Sequence, residues 1–125
     1  MAKRGIDPYQ LLANAIIVQA CDDYRNAYRA ESLGKEGENA DNTINEVLDF
    51  FHSEWFKLFT NLNVNYLVKK LNEDVIDRIK ADYYKAQDEG NKNIIHKLLH
   101  FIESEQFSKI TCIAPEEFIS KLKRK

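Results

Sequence analysis

Two histidines form the clearest pattern for chemistry in this chain of 125 residues. His96 and His100 are four residues apart, and Glu103 follows three residues later. Because this spacing places all three on one helix face, two imidazoles and a carboxylate could bind one metal ion. However, no glutamate stands next to His96, as the general base of a zinc protease would. The favoured interpretation is a polar strip on an otherwise apolar helix, and we predict no metal and no cofactor.

The rest of the sequence does not indicate a catalytic pair of a nucleophile and a general base. His52 and Ser53 are adjacent, and adjacent residues of a helix point in different directions, which argues against a catalytic pair. Cys21 and Cys112 lack the CxxC spacing of redox sites, and no glycine-rich phosphate loop is present. We therefore predict that the protein is not an enzyme and that both thiols are reduced, a disulfide being the less favoured alternative.

A dense polar and aromatic patch lies on the first predicted helix. Its members are Asp22, Asp23, Tyr24, Arg25, Tyr28 and Arg29. Tyrosine and arginine often dominate the binding energy of protein interfaces, so the patch is a candidate surface for a partner. Helical spacing also brings Asp22 close to Arg25, and such an ion pair within the chain explains part of the pattern. Both interpretations stay open, and the intramolecular one is favoured.

Aromatic side chains crowd into ten positions in the middle of the chain. They are Phe50, Phe51, Trp55, Phe56 and Phe59. One helix face cannot bury all of them, so this segment is the centre of a core, a surface for a partner, or both. We assign Phe50, Trp55 and Phe56 to the candidate partner surface.

The same aromatic surplus bears on self-association. If Phe50, Phe56 and Tyr84 were exposed, they would form an apolar patch that a homodimer could bury, and we slightly favour that outcome. The alternative is that the C-terminal helix folds back and covers this surface within one chain. That helix would do so through Phe118, Ile119 and Leu122.

A second candidate surface follows the aromatic segment. A short helix from Trp55, a break rich in asparagine and a helix from Val64 could form a helix-turn-helix. The groups available to DNA bases and phosphates would be Asn63, Asn65, Tyr66, Lys69 and Lys70. The turn lacks its usual glycine, and acidic residues such as Glu73 flank the segment. DNA binding is therefore the alternative and protein binding the favoured hypothesis.

Hydrophobic periodicity predicts an all-α protein, a single-domain bundle of five or six helices. Asp7 and Pro8 start a first helix of about six turns. Its apolar face would comprise Tyr9, Leu12, Ala13, Ile16, Ile17, Ala20, Cys21, Tyr24, Ala27 and Tyr28. Residues 33–41, which include two glycines, are predicted to form a surface loop.

The remaining elements follow from the same patterns. We predict a second helix from Asp41 or Thr43, followed by a kink or a restart capped by Ser53. A helical run should then extend from Val64 to Glu89 and end at Gly90 as its C-cap, although Asn72–Asp74 could split it. We further predict a helix from Asn91 to Gln106, an extended connector or short strand over Phe107–Ala114, and a last helix from Pro115. The first helix and the helix from Asn91 should pack against the Phe50–Phe59 segment.

The composition indicates a soluble protein with an acidic body. The net charge is −2, but six of the 18 basic residues lie in the two tails, which leaves 12 against 20 acidic residues between them. The basic C-terminal tail, Lys121–Lys125, is interpreted as a solvated end. An acidic body disfavours broad binding to duplex DNA. Because no apolar run suits a signal peptide or a membrane span, we expect a cytoplasmic protein.

Two segments that together cover about half of the chain carry a resemblance. The matching residues are Asp23, Tyr24, Arg25, Asn26 and Ala27, then Phe50, Phe51, Ser53, Trp55, Phe56, Thr60, Leu67 and Leu71. They resemble an uncharacterised family of small helical proteins carried by phages and integrative elements of Gram-positive bacteria. The resemblance implies a mobile-element context and says nothing about catalysis.

Charge, aromatic content and this resemblance together give the functional hypothesis. The chain is expected to bind a host or defence macromolecule and to inhibit or modulate a nucleoprotein system. Its partner would be a protein or a nucleoprotein, with the helix-turn-helix DNA regulator as the alternative function.

Overall fold

The computed structural model describes residues 7–35, 37–111 and 113–124, and every regular element in them is an α-helix. The helices are α1 (Pro8–Ser32), α2 (Gly37–Phe51), α3 (Glu54–Phe59), α4 (Val64–Glu89), α5 (Lys92–Ile102), α6 (Glu105–Ser108) and α7 (Pro115–Arg124). The protein is therefore all-α, as the periodicity predicts. These ranges contain seven helices rather than five or six, because short α3 and α6 stand as separate elements.

Side-chain caps fix where the helices begin. The Asp7 carboxylate accepts a hydrogen bond from the backbone N–H of Tyr9, and Pro8 occupies the first helical position. Ser53, Asn63 and Asn91 cap α3, α4 and α5 in the same way, each accepting from the N–H three residues later. The predicted starts at Asp7 and Ser53 are confirmed.

Gly90 adopts a left-handed conformation with φ of 68° and ends α4, as predicted. α4 itself is continuous, so the split considered at Asn72–Asp74 does not occur.

Three predicted boundaries are wrong. α2 begins at Gly37 instead of Asp41 or Thr43, because Ala40 and Ile44 are both buried on one face and stabilise an additional turn. α5 ends at Ile102 instead of Gln106, since the extended backbone of Ser104, whose hydroxyl donates to the Phe101 carbonyl, interrupts the helix. The chain then restarts as α6. The predicted connector or strand over Phe107–Ala114 therefore begins inside a helix. Cys112 of this segment lies outside the described residues.

Helix α1 lies against α2, α4 and α5, and α5 also packs on α4, α6 and α7. The expected contact of α1 with the aromatic segment is present: the Gln10 side chain donates to the Phe59 carbonyl at 3.1 Å. The extensive contacts of α5, however, are with α1, α4, α6 and α7 instead of that segment. The reason is that the C-terminal helices supply aromatic neighbours of their own, since Phe107 stacks with Phe101 at 6.1 Å and with Phe118 at 4.9 Å.

The last helix packs on α5 through its apolar residues. Phe118 and Leu122 are buried, and Ile119 packs half-buried against the same core. One contiguous cluster of buried apolar residues joins the long helices to α3, α6 and α7.

Candidate interaction surface

The polar residues of the α1 patch are committed to contacts within the chain. Arg25 forms ion pairs with Asp22 at 2.6 Å and with Asp74 of α4 at 3.2 Å. Arg29 binds Asp82 of α4 at 3.1 Å. These ion pairs join α1 to α4 along one side, which is the intramolecular interpretation that the sequence favours.

The two tyrosines of that patch lie in the core. Tyr24 and Tyr28 are almost fully buried, with their rings 5.1 Å apart in an edge-to-face arrangement. The Tyr24 hydroxyl donates a hydrogen bond to the side chain of Asn72. Burial raises the pKa of both hydroxyls above the ordinary value for tyrosine. Neither tyrosine can meet a partner in this structure, and both are removed from the candidate surface.

A cavity of about 490 Å³ lies between α1 and α4 and is lined by arginines. Arg25, Arg29 and Arg78 all contribute to its wall. All three guanidiniums are already engaged in ion pairs, that of Arg25 as described above. Arg29 and Arg78 share Asp82, whose side chain is only 11% exposed. Asp82 accepts from Arg29 and lies 3.8 Å from Nε of Arg78. The cavity is the outer side of an ion-pair network and offers no uncommitted guanidinium among these three.

The aromatic segment from Phe50 to Phe59 is mainly core. Phe51 and Phe56 are fully buried and stack at 5.4 Å, so Phe56 is also removed from the candidate surface. Phe50 and Trp55 are half-buried, and the Trp55 ring stacks on Phe50 at 5.4 Å and on Phe59 at 4.7 Å. The surface available to a partner here is the outer edge of Trp55 and Phe50.

The dimer patch predicted from Phe50, Phe56 and Tyr84 does not exist in the expected form. Phe56 is buried, and Tyr84 is half-buried with its ring 5.7 Å from that of Tyr83. The aromatic residues cover one another, because helices α2 and α3 meet at the Ser53 restart and face the core together.

Exposed apolar side chains occur instead on the neighbouring elements. Among the described residues, those that are large and exposed are Tyr9, Leu11, Leu12, Ile16, Val18, Leu58, Leu62 and Tyr66. All belong to the first half of α1, to α3, or to the connector and first turn of α4. Contiguous exposed apolar patches commonly mark binding sites, whereas apolar residues exposed singly need no such explanation.

Sequence reasoning missed most of this group. Tyr9, Leu12 and Ile16 were predicted on the buried face of α1, whereas only Ala13 and Ile17 of its first half are buried. A signal was nevertheless present, since no charged residue occurs from Pro8 to Cys21. A helix with a single buried face usually carries charge on the opposite face, and this segment carries none.

We name Leu58, Leu62 and Tyr66 the α3–α4 corner. Its backbone is held by side chains: Thr60 Oγ accepts from the N–H of Leu62, and Asn63 Oδ1 accepts from that of Tyr66. Leu58 is 80% exposed, the largest exposed fraction in this group. The corner is therefore a turn whose backbone accepts support from two side chains and on which Leu58, Leu62 and Tyr66 are exposed.

The candidate DNA-binding residues surround this corner on α4. Asn65, Tyr66, Lys69 and Lys70 are exposed, while the Asn63 side chain serves as the helix cap. Lys70 Nζ lies 5.5 Å from the Tyr66 ring centroid and 3.4 Å from Glu73. The Glu73 carboxylate, and then Tyr66, raise the pKa of Lys70. Asn65, Tyr66, Lys69 and Lys70 therefore lie together at the start of α4, and the acidic Glu73 lies next to Lys70.

The histidines lie at a different place. His96 and His100 are exposed on α5 and line a cavity of about 370 Å³ together with Glu31 and Gln106. The described part of the chain holds no cluster of three or more histidine, cysteine, aspartate or glutamate side chains suited to a metal ion.

The side chains of His52 and Ser53 serve the backbone at the junction of α2 and α3. His52 Nδ1 lies 2.8 Å from the Leu48 carbonyl oxygen. The Ser53 hydroxyl donates to the Phe50 carbonyl and accepts from the N–H of Phe56. Both groups therefore hold helix ends.

A pair of carboxyl groups near this second cavity was not foreseen. Glu31 at the end of α1 is hydrogen-bonded to Asp41 of α2, and burial followed by that neighbour raises the pKa of Glu31 to about 7. Gln106 of α6 donates a second hydrogen bond to Asp41. No spacing rule could find this pair, because its two members lie on different helices, α1 and α2, and meet only in the folded chain.

The thiol of Cys21 packs against the core, and the described part of the basic tail forms a local ion pair. Cys21 is a half-buried free thiol, and burial raises its pKa. In the C-terminal tail, Lys121 pairs with Glu117 at 3.4 Å, while Lys125 lies outside the described residues. Within the part that the structure describes, no helix has the length and apolar content needed to cross a bilayer.

Comparison of this chain with protein-family models, with curated proteins and with solved structures finds no match. Its function must therefore be inferred from its own exposed and buried groups.

Proposed function

We propose that this single-domain helical bundle is an interaction protein, not an enzyme, and that it binds a protein partner through the α3–α4 corner. The observation that carries the proposal is the exposure of Leu58, Leu62 and Tyr66 on a turn held by side-chain hydrogen bonds. Protein interfaces commonly have an apolar centre surrounded by a polar rim. Exposed Lys57, Asn65 and Lys69 provide that rim.

Rigidity of the corner supports high affinity. The caps of α3 and α4 fix the backbone on both sides of the connector, so a partner need not order it on binding. The half-buried Trp55 stacks beneath, between Phe50 and Phe59, and anchors α3 to the core. Aromatic and aliphatic groups fixed in this manner are typical binding hot spots.

The class of partner comes from the resemblance to proteins of phages and integrative elements. In that context the chain would act in the cytoplasm by inhibiting or modulating a host or defence nucleoprotein. The partner surface would be the protein component of that assembly, because the apolar corner does not suit phosphate groups.

Affinity capture from a Gram-positive cell extract, with and without nuclease, tests this proposal. The decisive variant is Leu58→Ser with Leu62→Ser, which removes apolar contact without altering the core. We expect the wild-type chain to retain a partner after nuclease, and the variant to bind that purified partner at least about tenfold more weakly.

The control is Leu11→Ser with Val18→Ser, two aliphatic residues on α1 that are each more than half exposed. It should capture the same partner as the wild-type chain. Equal binding by the corner variant, or loss of the partner after nuclease, would contradict the proposal. Circular dichroism of both variants verifies that the helices are retained.

The alternative function is a DNA-binding regulator that uses Asn63, Asn65, Tyr66, Lys69 and Lys70. The observation in its favour is that the last four of these are exposed together on the first turns of α4. A DNA complex should weaken steeply as salt rises, in proportion to the phosphates contacted. Titration of duplex DNA at two salt concentrations, with Lys69→Ala as the variant, distinguishes this function from protein binding.

A further inference from the structure

The cavity of about 370 Å³ beside α5 contains basic side chains that the proposed function does not use. His96, Lys97 and His100 line it from α5, and Glu31 lines it from the end of α1. We name it the α5 cavity. Within the part of the chain that the structure describes, none of these three basic side chains takes part in a salt bridge. The α5 cavity therefore offers an ammonium group and two imidazoles to an anion, whereas the arginines between α1 and α4 are already paired.

The stem of Lys97 is held along one edge of this cavity. It passes so close to Gly34, in the turn after α1, that a β-carbon at Gly34 would lie 3.1 Å from Cδ of Lys97. Lys97 is accordingly half-buried, with an apolar stem on the protein surface and an ammonium group that reaches water. A side chain that is partly fixed before binding loses less conformational entropy when a ligand arrives.

An apolar group of the ligand would fill the rest of the cavity. Phe101, which is only 4% exposed, contributes to its wall. Small-molecule sites typically combine a mainly apolar wall with a few polar groups that fix the orientation of the ligand. Since a water molecule occupies about 30 Å³ of the liquid, the cavity has the volume of roughly twelve waters and suits a ligand of about ten non-hydrogen atoms.

The carboxyl group of Glu31 does not repel an anion at slightly acidic pH. Burial and the hydrogen bond to Asp41 raise the pKa of Glu31 to about 7, with Lys109 acting in the opposite direction. The groups that face Glu31 are these two, Tyr28 of α1 and the three basic residues of α5. The Asp41 carboxylate is not part of the cavity wall, where Gln106, its hydrogen-bond donor, lies instead.

We propose that the α5 cavity binds a small organic carboxylate with an apolar body. Lys97, His96 and His100 bind the carboxylate, and the apolar body lies against Phe101. Charge-assisted hydrogen bonds hold the anionic end, and burial of apolar surface holds the other end. A ligand of about ten non-hydrogen atoms should bind at millimolar or submillimolar concentrations.

Titration of the full chain with phenylacetate at pH 6, followed by the imidazole NMR signals, measures this binding. We expect the signals of His96 and His100 to shift with a Kd of about 1 mM, while those of His52, which does not line the cavity, stay unchanged. Phenylacetamide lacks the charge and inorganic phosphate lacks the apolar body, so each should bind at least about tenfold more weakly. Absence of saturable phenylacetate binding, or equal binding of phenylacetamide, would overturn the proposal.

Lys97→Met keeps an apolar stem at the cavity edge and removes the charge. It should weaken phenylacetate binding about tenfold. The control is Lys92→Met, which removes the same charge from an exposed position at the start of the same helix, outside the cavity. This control should bind phenylacetate as the wild-type chain does. Undiminished binding by Lys97→Met would contradict the assigned role of Lys97.

Glu31→Gln gives a second test, because its amide stays neutral at every pH. Raising the pH from 6 to 8 should weaken phenylacetate binding by the wild-type chain at least about threefold more than binding by Glu31→Gln. All other titratable groups are common to the two proteins, so the difference reports the charge of Glu31. Equal weakening in both would contradict the assigned role of Glu31. The α3–α4 corner shares no residue with this cavity, so failure of phenylacetate binding does not affect the proposed protein interaction.

Discussion

The two halves of helix α1 use their side chains in opposite ways. From Asp22 to Ser32 the helix buries Tyr24, Ala27 and Tyr28 and is tied to α4 by ion pairs. From Pro8 to Cys21 it carries no charge, and most of its large apolar residues are exposed. The half that looks like an interface by composition is structural, and the half that looks like core is available for binding.

This difference shows why residue type alone misleads. Arginine and tyrosine are enriched at interfaces, yet the same hydrogen-bonding and stacking abilities suit them to contacts between helices of one chain. Aliphatic residues are usually buried, but a helix near the end of a bundle has neighbours on one side only. Three predictions test the contrast, in order of decreasing effect on stability.

Two tyrosines of α1 provide the largest contrast. Tyr28 is 2% exposed and Tyr9 is 74% exposed. Tyr28→Ala should lower the free energy of unfolding by about 4 kcal/mol, since it leaves a cavity between α1 and the Phe101 ring. Tyr9→Ala should change it by less than about 0.5 kcal/mol. Urea unfolding of both variants measures the two values, and similar losses would contradict the division of α1 into two halves.

Two aspartates test the ion pairs. Asp82 binds Arg29 and Arg78 while nearly buried, whereas Asp23 accepts a hydrogen bond only from the neutral Gln19 among the contacts described. Asp82→Asn should lower the free energy of unfolding by about 1.5 kcal/mol, because it leaves a half-buried guanidinium without its charged partner. Asp23→Asn should be nearly neutral. The loss of stability in Asp82→Asn should become smaller as salt is added. If neither variant changes the free energy of unfolding, the ion pairs do not stabilise the α1–α4 contact.

The smallest expected effect is a dependence on pH at the end of α1. Glu31 has a pKa of about 7 in the folded protein against an ordinary 4.5, so the folded state holds the proton more tightly. The stabilisation is complete below about pH 4.5 and is lost as pH rises through 7. Glu31→Gln should remove this dependence and stabilise the protein at pH 8 by about 1 kcal/mol, a value reduced for solvent screening.

Asp41→Asn provides the second measurement of the pair. It removes the neighbouring carboxylate but leaves Glu31 equally buried, so it should weaken the pH dependence without abolishing it. Thermal unfolding between pH 4 and 8 gives both results. An unchanged pH profile in Glu31→Gln would show that another group is responsible.

Local chemistry explains which parts of the fold could be predicted. Asp7 with Pro8, Ser53 and Gly90 each act through groups within a few residues, so their effect can be read from the chain directly. The start of α2 could not, since the burial of Ala40 and Ile44 against other helices decided that another turn formed. The end of α5 could not either, because a serine is compatible with a helix interior and the pattern does not show that the backbone of Ser104 is extended. Of the α3–α4 corner, Tyr66 was named from the sequence as a candidate binding residue, whereas Leu58 and Leu62 were not.

The sequence by itself determined the helical class, most of the caps and the burial of Phe118 and Leu122, because these depend on periodicity and on neighbours along the chain. Only the tertiary structure decided that Arg25 and Arg29 pair with Asp74 and Asp82, that Glu31 meets Asp41, and that Leu11, Val18 and Leu58 remain exposed. The physical reason is that a helix pattern records how apolar a face is, whereas burial depends on which other helix covers that face.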